Sequence, residues 1–357
     1  MSTKLTQHKS LLRQVWQHTL GKLGLLWIGF CVLLALSANL WIPDNSPQGN
    51  CINLHAAFLP PLSSTSVFDP QFDSPTQSFS FFNGNYQAAS YVLYNTQVMQ
   101  NDSVFLYFNN TKNGTNRLLY KEKNTSYTKG KKGTRIHLLG TDNMGRDLWS
   151  RLVLGTRISL SVGLIAVLIS LLIGVSLGLI AGYFGSWTDK IVMWFASVLW
   201  SLPTLLLVLG ISFALGKGFW QIFIAIGLSS WVELARVVRG EVLSVKEKNY
   251  VLAASLLGIK THKILFKHIL PNISSSIIVI CSANFASAIL LEAGLSFLGL
   301  GVKQPTPSWG MMINEYFGYI LLDKAYLAIV PGLAIMLLVV SFNFLGIALR
   351  DVLNKTT

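Results

Sequence analysis

Charge is what this chain has least of. Only 12% of its 357 residues are Asp, Glu, Lys or Arg, while 52% are hydrophobic and the mean hydropathy is +0.50. A soluble domain carries roughly twice that share of charge, so the composition is that of a protein living in lipid. Cysteine is scarce too: Cys31, Cys51 and Cys281 are far apart and lack metal-ligand spacing, so no disulfide or metal framework follows. No GxxxxGK[ST] phosphate loop occurs, and the lysine-rich GKKGT at Gly130 lacks that spacing, so the chain has no means of its own to hydrolyse ATP. HExxH, GxSxG and any clustered His, Cys or carboxylate triad are also missing, which disfavours an enzyme.

What charge there is leans basic, 28 Lys plus Arg against 15 Asp plus Glu. In a polytopic protein this excess belongs to inner loops facing anionic lipid. No basic run is interleaved with aromatics outside the loops, so nucleic acid is not an expected partner.

Uncharged apolar stretches long enough to cross about 30 Å of hydrocarbon occupy 23–42, 158–183, 191–215, 273–291 and 325–349. A shorter one, 219–232, lies between Lys217 and Glu233; a buried or re-entrant segment is the alternative, but Leu234 and Ala235 can extend it, and it is read as a further span. The fold class expected is an all-α polytopic membrane protein with six transmembrane helices. The 23–42 run is long for a signal-peptide core and lacks a clear cleavage site, so it is read as retained, behind a cytoplasmic tail of 1–22. Short segments on one side carry 14 Lys or Arg, against only Lys217, Lys303 and Lys324 on the other. Both termini are therefore predicted to be cytoplasmic.

Residues 43–135 differ in character, rich in Asn, Ser, Thr and aromatics, with alternation at 91–93 and 104–107. They read as an extracytoplasmic insertion, either a small β-rich domain or an elaborated loop. Its basic, Gly/Thr-rich tail, 121–135, reads as a flexible linker. The sequon Asn109-Asn110-Thr111 carries little weight in so Asn/Thr-rich a segment. Residues 136–357 are read as the core.

Gly174, Gly178 and Gly182 recur every four residues and give one helix face bare backbone, which lets another helix approach closely. Pro203 and Pro331 sit inside spans, where they kink helices. Asp142, Arg146 and Asp147 lie beside Gly140 and Gly145 just outside the second span, where pairing with one another would anchor the helix end. Glu292, at the outer end of the fifth span, either lines an outer mouth or is simply hydrated there.

The longest inner segment is 233–272. Within it, 249–257 reads as a helix holding Tyr250, Ala253 and Ala254, ended by Gly258. A second, amphipathic run, 261–270, interleaves Lys263 and Lys267 with Ile264, Leu265, Phe266 and Ile269 and is closed by Pro271. Two readings stand side by side here: a helical knuckle that fits a groove on another protein, or a basic helix lying on the inner leaflet.

The segment YVLAASLLGIKTHKILFKHILPN, residues 250–272, resembles the EAA loop of ABC importer permeases, matching it at Ala253, Ala254, Gly258, His268, Leu270, Pro271 and Asn272. HLLGTDNMGRDLWSRLVLGTRISLSVG, from His137, and LSFLGLGVKQPTPSWG, from Leu295, narrow the resemblance to the C-type permease subunit of the oligopeptide/dipeptide (peptide/nickel) family. It extends over roughly 135 to the C-terminus, with the first span as the N-terminal helix. The resemblance implies a type I importer bundle in the bacterial inner membrane, whose coupling loop, 233–272, inserts into an ATPase through Tyr250, Ala253, Ala254, Gly258, His268, Leu270 and Pro271. It also implies partners: a second, B-type permease, two ABC ATPase subunits holding ATP and Mg, and an extracytoplasmic solute-binding protein. No cofactor is expected on this chain. Peptides are the expected cargo; nickel and peptide-like antibiotics travel on similar scaffolds, and a membrane-anchored sensor or assembly protein is the alternative from another class. Leu252 stands where the family usually has glutamate, which removes one exposed ion pair of roughly 0–1 kcal/mol. The insertion is longer than the family leads one to expect.

Overall fold

The computed structural model describes residues 11–44, 46–69, 92–94, 96–100, 103–110, 115–123, 131–216 and 219–354. Lys4, Lys9, Tyr91, Thr111 of the sequon, Gly130 and Lys217 lie outside them. The chain divides into two compact units. Unit 1 is Met1–Cys31, Ser159–Val302 and Gly332–Thr357; unit 2 is Val32–Ile158 and Lys303–Pro331.

The helices, in chain order, are α1 (Leu11–Gln17), α2 (Thr19–Leu36), α3 (Ala38–Trp41), α4 (Leu148–Phe184), α5 (Ser186–Trp200), α6 (Thr204–Leu215), α7 (Phe219–Lys246), α8 (Asn249–Leu256), α9 (Thr261–Lys263), α10 (Leu270–Phe297), α11 (Trp309–Tyr316) and α12 (Tyr326–Asn354). Five stretches are long and apolar enough to cross a membrane: Thr19–Leu36, Leu148–Phe184, Trp220–Lys246, Thr261–Phe297 and Tyr326–Leu353. The pair α5 and α6 makes a sixth if counted as one broken span, bent by 99°. The kink expected at Pro203 within 191–215 is a full break between two helices. Pro203 has no N–H to donate and disfavours helical backbone at the residue before it, so the chain turns there and restarts.

Two other expectations change. The extension of the 219–232 span past Glu233 does not stop at Ala235: α7 runs on to Lys246, because Arg236 and Arg239 find partners on α5. The Arg236 guanidinium lies 4.2 Å above the Trp200 ring and donates to Ser197 Oγ at 3.1 Å. Arg239 holds Asp189 through two hydrogen bonds of 2.5 Å. Nor does Pro271 close the second amphipathic run. It sits in the first turn of α10, where a missing donor costs least, and a turn of π-helix, Ile264–Ile269, joins α9 to α10. The Leu270 N–H reaches back five residues to the Leu265 carbonyl.

Inside unit 1, α4 and α7 run side by side in the same direction along the glycine seam. A methyl group on Gly174 would come within 2.9 Å of the Trp231 carbonyl oxygen, one on Gly178 within 2.7 Å of the Ala235 carbonyl oxygen and Val238 Cβ, and one on Gly182 within 2.7 Å of Val242 Cβ. Gly178→Leu is expected to force the helices apart, costing about 1–3 kcal/mol or more, and to lower the thermal midpoint in detergent. Gly210→Ala, where nothing lies within 4 Å, is expected to cause no loss; equal midpoints for the two variants would refute tight packing at the seam.

Unit 2 contains two antiparallel three-stranded sheets, in the orders β2-β1-β6 and β3-β4-β5. Strand β1 (Ser63–Asp69) pairs with β2 (Val92–Tyr94) and, along seven positions from Ser63↔His137 to Asp69↔Lys131, with β6 (Lys131–His137). Strands β3 (Thr96–Gln100), β4 (Ser103–Asn110) and β5 (Thr115–Lys123) form a meander with a register shift between Leu106 and Tyr107. Phe68, Tyr94, Val104 and Leu106 form the buried core of the two sheets, as the alternation at 104–107 anticipates. The expected linker at 121–135 is corrected at both ends. Lys121–Lys123 closes β5, and 131–135 belongs to β6, whose backbone is engaged by β1; residues 124–130 lie outside the described set.

Candidate functional site

Of the 233–272 segment, 233–246 belongs to α7, so the polar turnaround is shorter than its charges suggest. It starts at Lys248, whose extended backbone (φ −70°, ψ 139°) begins α8. Helix α8 ends at Leu256 with Leu257 as its cap, and the chain reverses at Gly258, with φ +74°, where a side chain would be strained. The Ile259 N–H then donates back to the Ala254 carbonyl at 3.2 Å.

Packing divides this element into an anchored side and a presented side. Val251, Ala254, Ile264, Leu265 and Ile269 are buried with Leu234, Val238, Val242 and Val245 of α7 and Ile273 and Ile277 of α10. The paired alanines thus differ: Ala254 faces the core, Ala253 faces outward. Tyr250, Leu252, Leu256, Leu257 and Phe266 are exposed, Leu256 to 88% and Leu257 to 81%. His268 and Leu270 are half-buried, Pro271 is exposed, and the Asn272 side-chain amide donates to the His268 carbonyl at 2.6 Å. Leu252, in place of the expected carboxylate, shares the outward face with Leu256 one turn on. What is presented is a tight apolar tip flanked by Lys260, Lys263 and Lys267, held from behind by two membrane helices.

Glu292 is 0% exposed, and its Oε1 accepts from Ser296 Oγ at 2.7 Å. The side chain lies within unit 1, and the Ser296 hydroxyl one turn on satisfies one of its oxygens.

Unit 2 holds a buried ionic cluster. Asp142 Oδ1 accepts the Met144 and Arg146 N–H groups, both at 2.9 Å, which shapes the turn at Gly145 (φ +72°). Its Oδ2 accepts from Arg146 Nε at 2.7 Å, Arg151 Nη1 at 3.1 Å and the Tyr316 hydroxyl at 2.8 Å. Glu315 bridges the two arginines, taking Arg146 on Oε1 and Arg151 on Oε2, the latter at 3.1 Å. Burial works against the Arg146 charge, but Asp142, Tyr316 and Glu315 outweigh it and hold its pKa above the usual value. Burial pushes the Tyr316 pKa well up, so its hydroxyl keeps its proton and donates.

Asp147 departs from the expected mutual pairing. It caps α4, accepting the Ser150 N–H at 2.8 Å, and binds His137 Nδ1 at 2.9 Å, while His137 Nε2 meets Thr65 Oγ1 on β1 at 3.1 Å. Glu315, Tyr316 and Thr65 were not legible as members of this network: each comes from a segment 70 or more residues from its partners.

Comparison with known proteins agrees with this architecture. Residues 174–357, just over half of the chain, match the family described as "Binding-protein-dependent transport system inner membrane component". The glutathione transport system permease protein GsiD of Pectobacterium atrosepticum is 43% identical over 218 residues, 61% of this chain and 72% of that protein. The oligopeptide transport system permease protein OppC of Bacillus subtilis is 42% identical over 221 residues, 62% of this chain and 72% of that one. The dipeptide transport system permease protein DppC of Bacillus subtilis is 43% identical over 218 residues, 61% and 68% respectively. A solved inward-facing MetNI methionine ABC transporter aligns over 53% of this chain and 94% of that one at 16% identity with a TM-score of 0.40, a likeness too weak to add to the assignment. With five to six apolar spans and this match over its C-terminal half, the chain belongs to the inner membrane components of binding-protein-dependent transport systems, as a multi-pass permease and not a catalytic subunit.

Proposed function

We propose that this protein is the C-type permease subunit of an ATP-driven importer of peptides, coupled to its ATPase through residues 249–270. The observation that carries the coupling is the division of that element: a core-anchored back, with Leu256 and Leu257 thrust outward. Apolar side chains left in water have no use in a monomer, and an apolar groove on a soluble ATPase gives them one. A membrane-surface helix is the weaker reading, because the exposed leucines stand at a tip beside a chain reversal, not along a face parallel to a bilayer. ATP and Mg belong to two ATPase subunits, a second, B-type permease completes the pathway, and an extracytoplasmic binding protein delivers cargo. The α8 turnaround lies inside, as do both termini, and 43–135 outside.

Peptide cargo is supported by the relatives, whose names concern glutathione, oligopeptides and dipeptides. Purification of the tagged protein in mild detergent is expected to recover ATPase chains, a second permease and a binding protein, and the reassembled transporter is expected to take up a short peptide when ATP is supplied. Recovery without ATPase after cross-linking, or uptake independent of ATP, would sink the proposal.

A further inference from the structure

Among the described residues, Glu233 is a charge without a companion, and it sits at hydrocarbon depth. The glycine seam sets its level: Leu234 meets Gly174, which lies nine residues from the inner end of the uncharged 158–183 stretch and sixteen from the other. At 1.5 Å per residue, Glu233 is about 14 Å from the inner end of that stretch and about 24 Å from the outer one. A hydrocarbon core of roughly 30 Å centred on it encloses the carboxylate.

Its charged neighbours on α7 are all satisfied within unit 1. Arg236 has Trp200 and Ser197, Arg239 has Asp189, Glu241 accepts from Ser276 Oγ at 2.7 Å, and Lys246 donates to the Tyr183 carbonyl at 2.6 Å. Glu233 is exposed and has no ion-pair or hydrogen-bond partner among the described residues. A carboxylate facing acyl chains is costly enough that intramembrane acids face water or a cation. Its surroundings agree. Gly240 and Ser244, seven and eleven residues on, share its exposed face, whereas α4 exposes Leu164, Leu168, Leu172 and Ile180, a surface made for lipid.

We propose that Glu233 lines the water-filled translocation pathway and receives the protonated amino terminus of a peptide in transit. This rests on the peptide reading above. The α-ammonium is the positive group that every unblocked peptide carries near neutral pH, and a carboxylate is its natural counter-charge.

The test uses the complete transporter in lipid nanodiscs, with Cys31, Cys51 and Cys281 replaced by Ala. A membrane-impermeant cationic thiol reagent is expected to modify the Glu233→Cys variant but not Leu172→Cys. The parent transporter is expected to take up a dipeptide with a free amino end in preference to its N-acetylated form, and Glu233→Gln is expected to lose that preference. In parallel, Glu233→Gln is expected to lower dipeptide uptake about tenfold at normal membrane abundance, the loss of one charge-assisted contact. If the parent transporter takes up the dipeptide while the Glu233→Cys variant stays unmodified, Glu233 faces the second permease and this inference alone is overturned. A free-amine preference that survives in Glu233→Gln, or full uptake by Glu233→Gln, overturns the cargo contact. Failure of the parent itself to take up any peptide overturns the cargo reading, and the ammonium partner with it.

Discussion

Replacing Leu256 and Leu257 together by aspartate is expected to abolish ATP-driven uptake while leaving the protein in the membrane at its normal level. Both side chains are almost fully solvent-exposed in this chain, so the substitution removes no internal contact. If they dock into an ATPase groove, each buries its surface there, about 1.5–3 kcal/mol per leucine. Losing both amounts to roughly 3–6 kcal/mol, or about 10²- to 10⁴-fold in docking affinity. Placing carboxylates in an apolar groove adds a desolvation cost. The measurement is peptide uptake by the reconstituted transporter together with ATPase recovered on affinity resin. Both should fall. Ala254→Leu is expected to fail for another reason, since Ala254 is buried against the helices behind it: there the thermal midpoint should drop as well. Uptake at the parental rate with both leucines changed to aspartate would show that this tip is not where the ATPase binds.

Arg151→Met is expected to lower stability by about 3–5 kcal/mol, because it leaves buried acids facing a lost cation. Arg151 gives one nitrogen to Asp142 and Tyr316 and the other to Glu315, and its side chain is 1% exposed. Methionine fills much of the volume and supplies none of the charge. Tyr316→Phe removes a single hydroxyl, and its expected cost is smaller, about 1–3 kcal/mol for the acceptor left short of a donor. Thermal unfolding of the detergent-solubilised protein, followed by size-exclusion fluorescence, should rank parent, Tyr316→Phe and Arg151→Met in descending order. If Arg151→Met unfolds at the parental temperature, the cluster is not what holds the segment 309–316 to the start of α4.

The spans at 158–183, 273–291 and 325–349 were legible because an apolar run is a local property, readable residue by residue. Glu233 misled for the complementary reason. Whether a helix runs on past a charged stretch depends on distant residues, and the partners that let α7 continue past Arg236 and Arg239 lie on α5, at Trp200 and Asp189. Pro271 misled in a similar way: its spacing resembles a stop, yet proline at the first turn of a helix is a start. In the knuckle, Gly258 and the alanine pair were visible in sequence, but which alanine faces the core depends on Leu234, Val238 and Ile273, set by packing between helices. The insertion's strands showed as alternation; their pairing, Ser63 with His137 across more than seventy residues, did not.

The buried cluster in unit 2 contains two guanidinium groups and two carboxylates, with Tyr316 neutral between them. Its net charge is zero, and almost none of it touches solvent. Mobile ions screen charges they can approach, over about 10 Å at 0.1 M salt, and buried pairs far less. A fastening built this way keeps its strength when the surrounding medium shifts from dilute to saline. A joint made of surface ion pairs would slacken under the same change, so here ionic bonds supply the durability usually associated with an oily core.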